Sequence, residues 1–462
     1  MDPATYYAAS AGPAPMRPAL RGSLDAQVCV VGGGFAGLAT AIGLIERGVR
    51  DVVVVEGETI GHGASGRNGG FVFGGFSLDN AQLLADQGSA GARAMYGLTR
   101  QAVATIRRRI AQYGIACDAI EGGVLLANWF ADDQVLRKRQ EFMAREFDVH
   151  WQMLSHDEMG AWTRSQRYAG GLLEPDAFHF HPLKYARGLA AVIEREGGRI
   201  HEQSVVTKIV PPRTPGGGHE VHVAGGVGPG EHAAGGGTAE HTAGGGTAEH
   251  AAGGGKAEHT AGGVVHARHV VIAGGGYLRG LSAPLERAML PIATYVMATE
   301  PLGDALAASI PGRAAIYDTR FSFDYYRALP DTRILWGGRI SILDRDAAPI
   351  ARLLKRDMLK VYPELRGVKV DYAWGGLMSY ARHQMPQIGR LPDGCWHALG
   401  FGGHGVGPTT AAGELLADAI AAGTPIPAGF ARYGLQRVWG AAGMLAAQTK
   451  YNWFEFKDWV NE

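Results

Sequence analysis

The sequence predicts an α/β chain in which a Rossmann-like nucleotide-binding domain is interleaved with an α+β domain built on a mainly antiparallel sheet. Three observations carry this. The stretch "VVGGGFAGLATAIGLIERGVRDVVVVE" runs an apolar strand, a glycine turn, a helix and a second apolar strand in immediate succession. A second glycine turn opens a helix near the other end, in "GFGGHGVGPTTAAGELLADAIAAG". Between them, residues 293–374 hold alternating and aromatic-rich segments, the pattern of a second sheet.

Composition narrows the partners. The chain has 462 residues, too many for one ordinary core, with 46% apolar and 19% charged residues. Lys plus Arg equal Asp plus Glu at 44 each, so no net field attracts nucleic acid or an anionic membrane. Small molecules, or other copies of the chain, are the expected partners. Cys29, Cys117 and Cys395 are scattered and form no CxxC, which argues against a disulfide framework or a zinc site and for a reducing, cytoplasmic setting. Cys29, in "VCVV", reads as a small core residue. The N-terminus lacks a signal-peptide pattern, and no apolar run reaches the roughly 18 residues of a membrane span. Its Ala, Pro and Gly content predicts a flexible lead-in over residues 1–25.

Each element follows in order. Residues 27–34 read as a buried strand ending in glycines, 35–48 as a helix stopped at Gly48, and 51–56 as the next strand. Residues 79–114 are helical, with Arg107, Arg108 and Arg109 expected on a solvated face. A strand at 122–129, a polar helix at 131–146 and a helix at 182–197 with Pro182 in its first turn come next, then a strand pair at 198–210. Residues 211–263 form a glycine-rich insert containing "AGGGTAEHT", "AGGGTAEHA" and "AGGGKAEHT" in register. Such a composition cannot offset its ordering entropy and reads as a loop that extends a hairpin turn. Its His241, His250 and His259 leave weak metal binding as the other reading. Strand pattern resumes at 264–276; a helix at 349–361 lies among the segments of the second sheet, and a last strand at 396–400 leads into the C-terminal helix. The resulting division assigns 26–80, 182–290 and 375–425 to the nucleotide domain. It assigns 81–181 and 291–374 to the substrate domain, and leaves 426–462 as a helical, aromatic tail.

The chemistry lies in the glycines. Gly32, Gly34 and Gly37 fit GxGxxG: a tight turn, close approach of backbone to a pyrophosphate, and close helix–strand packing. The first helical turn, with Phe35 and Ala36, offers free N–H groups to the phosphates. Glu56 ends the second strand 19 residues after Gly37 and is placed to accept from ribose hydroxyls. Beyond it, "GHGASGRNGGFVFGG" (61–75) is more than a nicotinamide nucleotide requires. Its Gly63, Ala64, Gly66, Gly69 and Gly70 let backbone pass close to a ligand, and Ser65, Arg67 and Asn68 offer hydrogen bonds to pyrophosphate, ribityl or ring edge. The set suits a flavin; the alternative is a glycine-rich surface loop. The C-terminal helix start, near Pro408, is placed to stabilise negative charge on a reduced ring.

Together, "VVGGGFAGLATA", "GASGRNGG", "VVIAGGGYL", "MPQIGRL" and "GFGGHGVGPTTAAGELLADAI" resemble the D-amino-acid oxidase/glycine oxidase-type FAD-dependent oxidoreductases, and within them the gamma-glutamylputrescine oxidoreductase-like branch. The resemblance covers roughly 27–425 outside the insert. It implies that Gly32, Gly34 and Gly37 hold the FAD diphosphate and Glu56 the adenosine ribose. Ser65, Arg67, Asn68 and Gly69 would line the path to the ring, with Ala273, Gly274 and Gly275 alongside. Val206 would meet adenine through its backbone, and Gly402, Gly403, His404, Gly405, Val406 and Gly407 would border the ring. The segment "MSYARHQMP" (378–386), where some members carry a flavin-linking cysteine, has none, so FAD is expected to be non-covalent. No metal is expected.

The implied reaction is oxidation of an amine or amino-acid C–N bond: hydride passes to flavin N5, the imine is hydrolysed, and O2 is the expected acceptor, giving H2O2. Gamma-glutamylputrescine-like substrates are one expectation. A D-amino-acid or N-methyl-amino-acid dehydrogenase passing electrons to a carrier is the alternative, and a flavin-bound scaffold without turnover a remote one. Candidate catalytic residues are His404, Tyr325 and Arg327. His404 is placed either at the ring or as a structural histidine. Tyr317, Phe323, Tyr325 and Arg327 alternate in "IYDTRFSFDYYRAL", so Arg327 is placed either to clamp a substrate carboxylate or to face outward. Tyr326 and Trp336 read equally as wall or core, and the tail aromatics in "YNWFEFKDW" as packing residues or a pocket cover.

Overall fold

The computed structural model of the chain describes residues 5–214, 216–224, 262–343 and 345–460. Two eight-stranded sheets organise them. In the first, the strands Gln387–Arg390, Trp396–Leu399, Gly263–Ile272, Gly22–Val31, Val52–Val55 and Arg199–His201 lie side by side in that order. Neighbours are parallel except the edge pair of Gln387–Arg390 with Trp396–Leu399. Val28 and Val30 enter the core shared with the helices Phe35–Glu46 and Pro182–Arg195; Cys29 and Val31 enter the opposite core with Val53, Val270 and Cys395. Burial on both faces is why these strands read as unbroken apolar runs.

The glycine-rich insert leaves and rejoins this sheet at paired neighbours. The strand His219–Val223 runs antiparallel to Gly263–Ile272, with Val223 opposite Gly263. Residues 219–223 and 263, expected within the insert, are therefore sheet: their alternating Val side chains are buried. The repeats with His241, His250 and His259 lie outside the described residues.

The second sheet runs Val370–Tyr380, Leu290–Thr299, Ile334–Ser341, Tyr325–Ala328, Ala315–Asp318, Val124–Ala127, Gly170–Glu174, Gln152–Ser155. It is antiparallel except where Ala315–Asp318 joins Val124–Ala127. The helix Ala347–Val361 covers one face through Ile350, Leu354 and Met358. Tyr326 and Trp336 are buried on that face, stacked at 4.3 Å and 3°, so both are core. The strands Gln152–Ser155 and Gly170–Glu174 escape a sequence reading because each has only 4 or 5 residues between helical and turn-rich stretches.

Two expectations are overturned. From residue 5 on, the N-terminal segment expected to be a flexible lead-in is docked: a helix Tyr6–Ser10 buries Tyr6 and Tyr7, and Arg17 and Leu20 are buried further on. Its anchors are side chains distant in sequence, invisible to composition. Arg109, expected on a solvated face, is fully buried. Its guanidinium lies 2.7 Å from Glu46 and closer still to Glu414, pinning the helix Asn80–Tyr113 to Phe35–Glu46 and Val406–Ala422. A buried arginine stands only with such partners. Burial alone would raise the Glu46 carboxyl, but the Arg109 and Arg108 guanidiniums outweigh it and hold it down to about 2. Of the tail aromatics on the C-terminal helix Gly440–Val460, Tyr451 is buried and bonds the Ser322 hydroxyl, and Phe454 stacks on Phe321 at 4.4 Å, while Trp453, Phe456 and Trp459 are exposed; Asp458 accepts from the Ser322 N–H at 2.9 Å. No helix among the described residues is long and apolar enough to cross a membrane.

Candidate functional site

The nucleotide end is built where the strand Gly22–Val31 meets the helix Phe35–Glu46. Gly32 has φ +114°, and a Cβ there would stand 2.7 Å from the Ala273 carbonyl oxygen. A Cβ on Gly37 would collide with the Gly32 carbonyl. Both positions therefore demand glycine, one for its dihedral and one for packing. Ala273 continues the neighbouring strand by donating to the Val31 carbonyl at 2.8 Å, and Gly274 and Gly275 lead into the turn that carries Tyr277. Glu56 accepts from the Gly33 N–H at 2.6 Å and the Glu58 N–H at 2.9 Å. Burial raises its carboxyl above the ordinary range. Val206 opens the strand Val206–Val210, and the Val205 side chain beside it packs over Gly57.

The loop 61–75 closes on this helix start. Ser65 Oγ accepts from the Phe35 N–H at 2.8 Å, so the loop caps the helix Phe35–Glu46; Gly34 stands beside it, where a Cβ would lie 3.0 Å from Ser65 Oγ. Asn68 staples the loop internally, donating to the Ala64 and Ser65 carbonyls at 3.0 and 2.9 Å and accepting from the Gly70 N–H at 2.8 Å. Arg67 donates to the His62 carbonyl at 2.8 Å and the Gly375 carbonyl at 3.1 Å. These three side chains thus hold the loop's shape through protein partners. The Tyr277 ring lies over Gly63, where a Cβ would come within 2.9 Å of it.

The third part is the start of the helix Val406–Ala422. Gly402 has φ +63° and donates to the Ser379 carbonyl at 2.7 Å. The Ser77 hydroxyl donates to the Phe401 carbonyl at 3.0 Å and accepts from the His404 N–H at 3.1 Å. Gly403 is exposed, Gly405 caps the helix, and a Cβ on Gly407 would stand 3.1 Å from the Phe73 carbonyl. The His404 ring lies 4.1 Å from the Phe73 ring, with Nε2 3.4 Å from the Phe73 carbonyl. Burial pushes its pKa down to about 4, so it is neutral at neutral pH.

Facing the loop is the second sheet. Tyr317 and Tyr325 are cross-strand partners, and Glu174, Val124 and Ala315 form the next row on the same side. The Tyr325 ring sits between Gly337 and Gly69, each of which lacks a Cβ that would strike it. Phe71 is 5.7 Å from Tyr325, Phe73 is 5.8 Å from Tyr317, and Phe323 bridges the two tyrosines at 5.9 and 6.4 Å. Burial pushes the Glu174 carboxyl up to about 7, against the opposing pull of the Gly74 backbone N–H. Sequence reasoning missed Glu174, Phe71 and Phe73; the signal was an acid closing the apolar run "GGLLE" and aromatics alternating in "GGFVFGG".

Arg327 matches neither reading offered for it, the carboxylate clamp or the outward-facing side chain. It is buried, its Nε donates to the Gly69 carbonyl at 2.7 Å, and Nη2 donates to the Phe180 carbonyl at 3.0 Å and the Tyr7 hydroxyl at 3.2 Å. Nη1 lies 3.5 Å from His179 Nδ1. The guanidinium anchors the loop 61–75 to the second sheet, a role its alternation in a strand could not reveal.

Fold and site together define a dinucleotide-binding oxidoreductase. The glycine cradle at Gly32 and Gly34, the acid Glu56 at the end of the second strand and two helix starts directed at one loop fit FAD. The chain belongs to the DAO family of FAD-dependent oxidoreductases, whose model matches residues 27–419. It is 34% identical over 418 residues to the gamma-glutamylputrescine oxidoreductase of Escherichia coli, covering 90% of this chain and 88% of that protein. It is 30% identical to a probable oxidoreductase, OrdL, of Haemophilus influenzae, covering 86% and 83%. Its fold matches glycine oxidase from Geobacillus kaustophilus with a TM-score of 0.65 at 20% identity, covering 90% of this chain and 99% of that one. L-Proline dehydrogenase from P. horikoshii matches with a TM-score of 0.65 at 17% identity, covering 90% and 100%.

Proposed function

We propose that the protein oxidises the C–N bond of an amine that carries a cationic or strongly polar tail, gamma-glutamylated diamines being the substrate class that fits best. FAD, when bound non-covalently, would supply the two-electron acceptor for the hydride lost from the substrate's α-carbon, with O2 as the final oxidant, reduced to H2O2. The imine left behind takes up water and breaks to a carbonyl compound and an amine. The chain's own residues bind, orient and desolvate. Gly32, Gly34, Ser65 and the helix start at Phe35 hold the diphosphate, and Glu56 the ribose. Gly402, Gly403, His404, Gly405 and Val406 border the ring at the second helix start. Phe71, Phe73, Tyr317 and Tyr325 exclude water from the reacting carbon and favour the neutral amine whose lone pair assists hydride loss.

One observation carries the substrate reading: the sheet face opposite the loop offers aromatic rings and the Glu174 carboxylate, while Arg327 is engaged by protein carbonyls. A carboxylate beside aromatic faces suits a cation. The E. coli relative's name points to the same class. The proposal retains the division into a flavin domain (26–80, 182–290, 375–425) and a substrate domain (81–181, 291–374), and three buried free cysteines suit a reducing, cytoplasmic setting. Steady-state assays over amines, polyamines, gamma-glutamylated diamines and D- and L-amino acids test it. One H2O2 and one carbonyl product per amine consumed supports it. Turnover confined to amino acids, or with an artificial acceptor and no peroxide, rejects the substrate class or the acceptor respectively.

A further inference from the structure

The segment before residue 27 lies outside the family match, yet it reaches the flavin loop at both ends. Thr5 caps the helix Tyr6–Ser10 by accepting from the Ala8 N–H at 3.0 Å. The Tyr7 hydroxyl donates to the Asn68 carbonyl at 2.8 Å and accepts from Arg327 at 3.2 Å. The Tyr7 ring lies 4.7 Å from His181 and 5.5 Å from Trp374, whose indole N–H donates to the Arg67 carbonyl at 3.0 Å. Two consecutive loop carbonyls, Arg67 and Asn68, are thus held by one aromatic cluster that the N-terminal helix completes.

The other end is tied through a carboxylate. Arg17 is buried and grips Glu194 with two hydrogen bonds of 2.8 Å. It also reaches Glu202 at 3.4 Å. Glu202 in turn accepts from the Ile60 N–H at 2.7 Å, immediately before the loop. The Leu20 N–H donates to Ser204 Oγ at 2.9 Å, fixing the segment where it enters the first sheet. These two ties join the anchors through Ser65, Arg67 and Arg327 in setting where the loop stands relative to the sheets.

We infer that residues 5–20 are a strap that positions the flavin loop, with Tyr7 and Arg17 as its positioning residues. The strap bonds the Asn68 carbonyl directly, and reaches the Arg67 carbonyl through Trp374 and the Ile60 N–H through Glu202; these are backbone groups that any loop sequence offers, so it acts on loop placement rather than on ligand chemistry. It rests on the assignment of 61–75 to FAD, not on the amine substrate, and its test involves no turnover.

The test is titration of the full-length apoprotein with FAD, followed by flavin fluorescence, for wild type, Tyr7→Phe and Arg17→Lys. Met16→Ala is the control, at a position 97% exposed on the same segment. Tyr7→Phe keeps the ring packing and removes the bond to Asn68; we expect FAD binding about tenfold weaker, which is about 1.4 kcal/mol. Hydrogen exchange should quicken at 67–71 in the same variant and stay unchanged in the strand Gln152–Ser155. Met16→Ala should match wild type. Wild-type FAD affinity in both Tyr7→Phe and Arg17→Lys overturns the inference. So does a lowered apoprotein melting temperature with unchanged FAD affinity, since that is the signature of a purely structural segment.

Discussion

At the scale of single residues, environment assigns roles that residue type alone leaves open. Burial pushes Glu174 up to about 7, so its carboxyl is neutral below that pH and anionic above it. If it receives a substrate cation, kcat/KM for cationic amines must rise with pH through about 7. Glu174→Gln should abolish that limb and lower kcat/KM by about tenfold or more, the loss of one charge-assisted bond. Linkage gives a second readout. A folded carboxyl raised above its unfolded value contributes stability that is present below about 4.5 and is lost as pH rises through about 7. Glu174→Gln should therefore melt higher than wild type at pH 8 and close to it at pH 4.5. Arg327→Lys separates the two roles offered for that residue. Lysine cannot reach the Gly69 and Phe180 carbonyls together with the Tyr7 hydroxyl, so stability should fall by about 3 kcal/mol in chemical denaturation. A clamp would instead raise KM for carboxylate substrates at unchanged stability.

Among elements, the glycine turns were legible and their supports were not. Gly32, Gly34, Gly37 and Glu56 stand in one short run, and the chemistry that requires them is local. Gly32→Ala should cost at least about 1 kcal/mol, since alanine tolerates neither φ +114° nor the Ala273 carbonyl at 2.7 Å. The FAD-to-protein ratio after purification should fall with it. The helix Tyr6–Ser10 and the strand Gly170–Glu174 were hidden because they are 5 residues long and stabilised by partners far along the chain: Tyr7 bonds a residue 61 positions away. The same holds for Arg109, whose partners Glu46 and Glu414 lie 63 and 305 positions away. Charge runs predict solvated faces until a distant acid meets them.

For the whole molecule, the loop 61–75 is the joint: it caps the helix of the first sheet through Ser65 and is anchored to the second through Arg327 and Tyr325. The insert, by contrast, hangs from one hairpin of the first sheet at Val223 and Gly263. Replacing residues 225–261 by a short Gly–Asn turn should leave FAD affinity and amine turnover within about twofold, because loop-closure free energy changes slowly with length. A large loss would make the insert part of the working molecule. The measurement that tests the central claim most directly is anaerobic titration of the FAD-loaded protein with a gamma-glutamylated diamine. Complete bleaching of the yellow flavin absorption at one equivalent of amine, with colour restored by O2, is the predicted result. Flavin that stays yellow with every amine while the protein holds FAD stoichiometrically would contradict it.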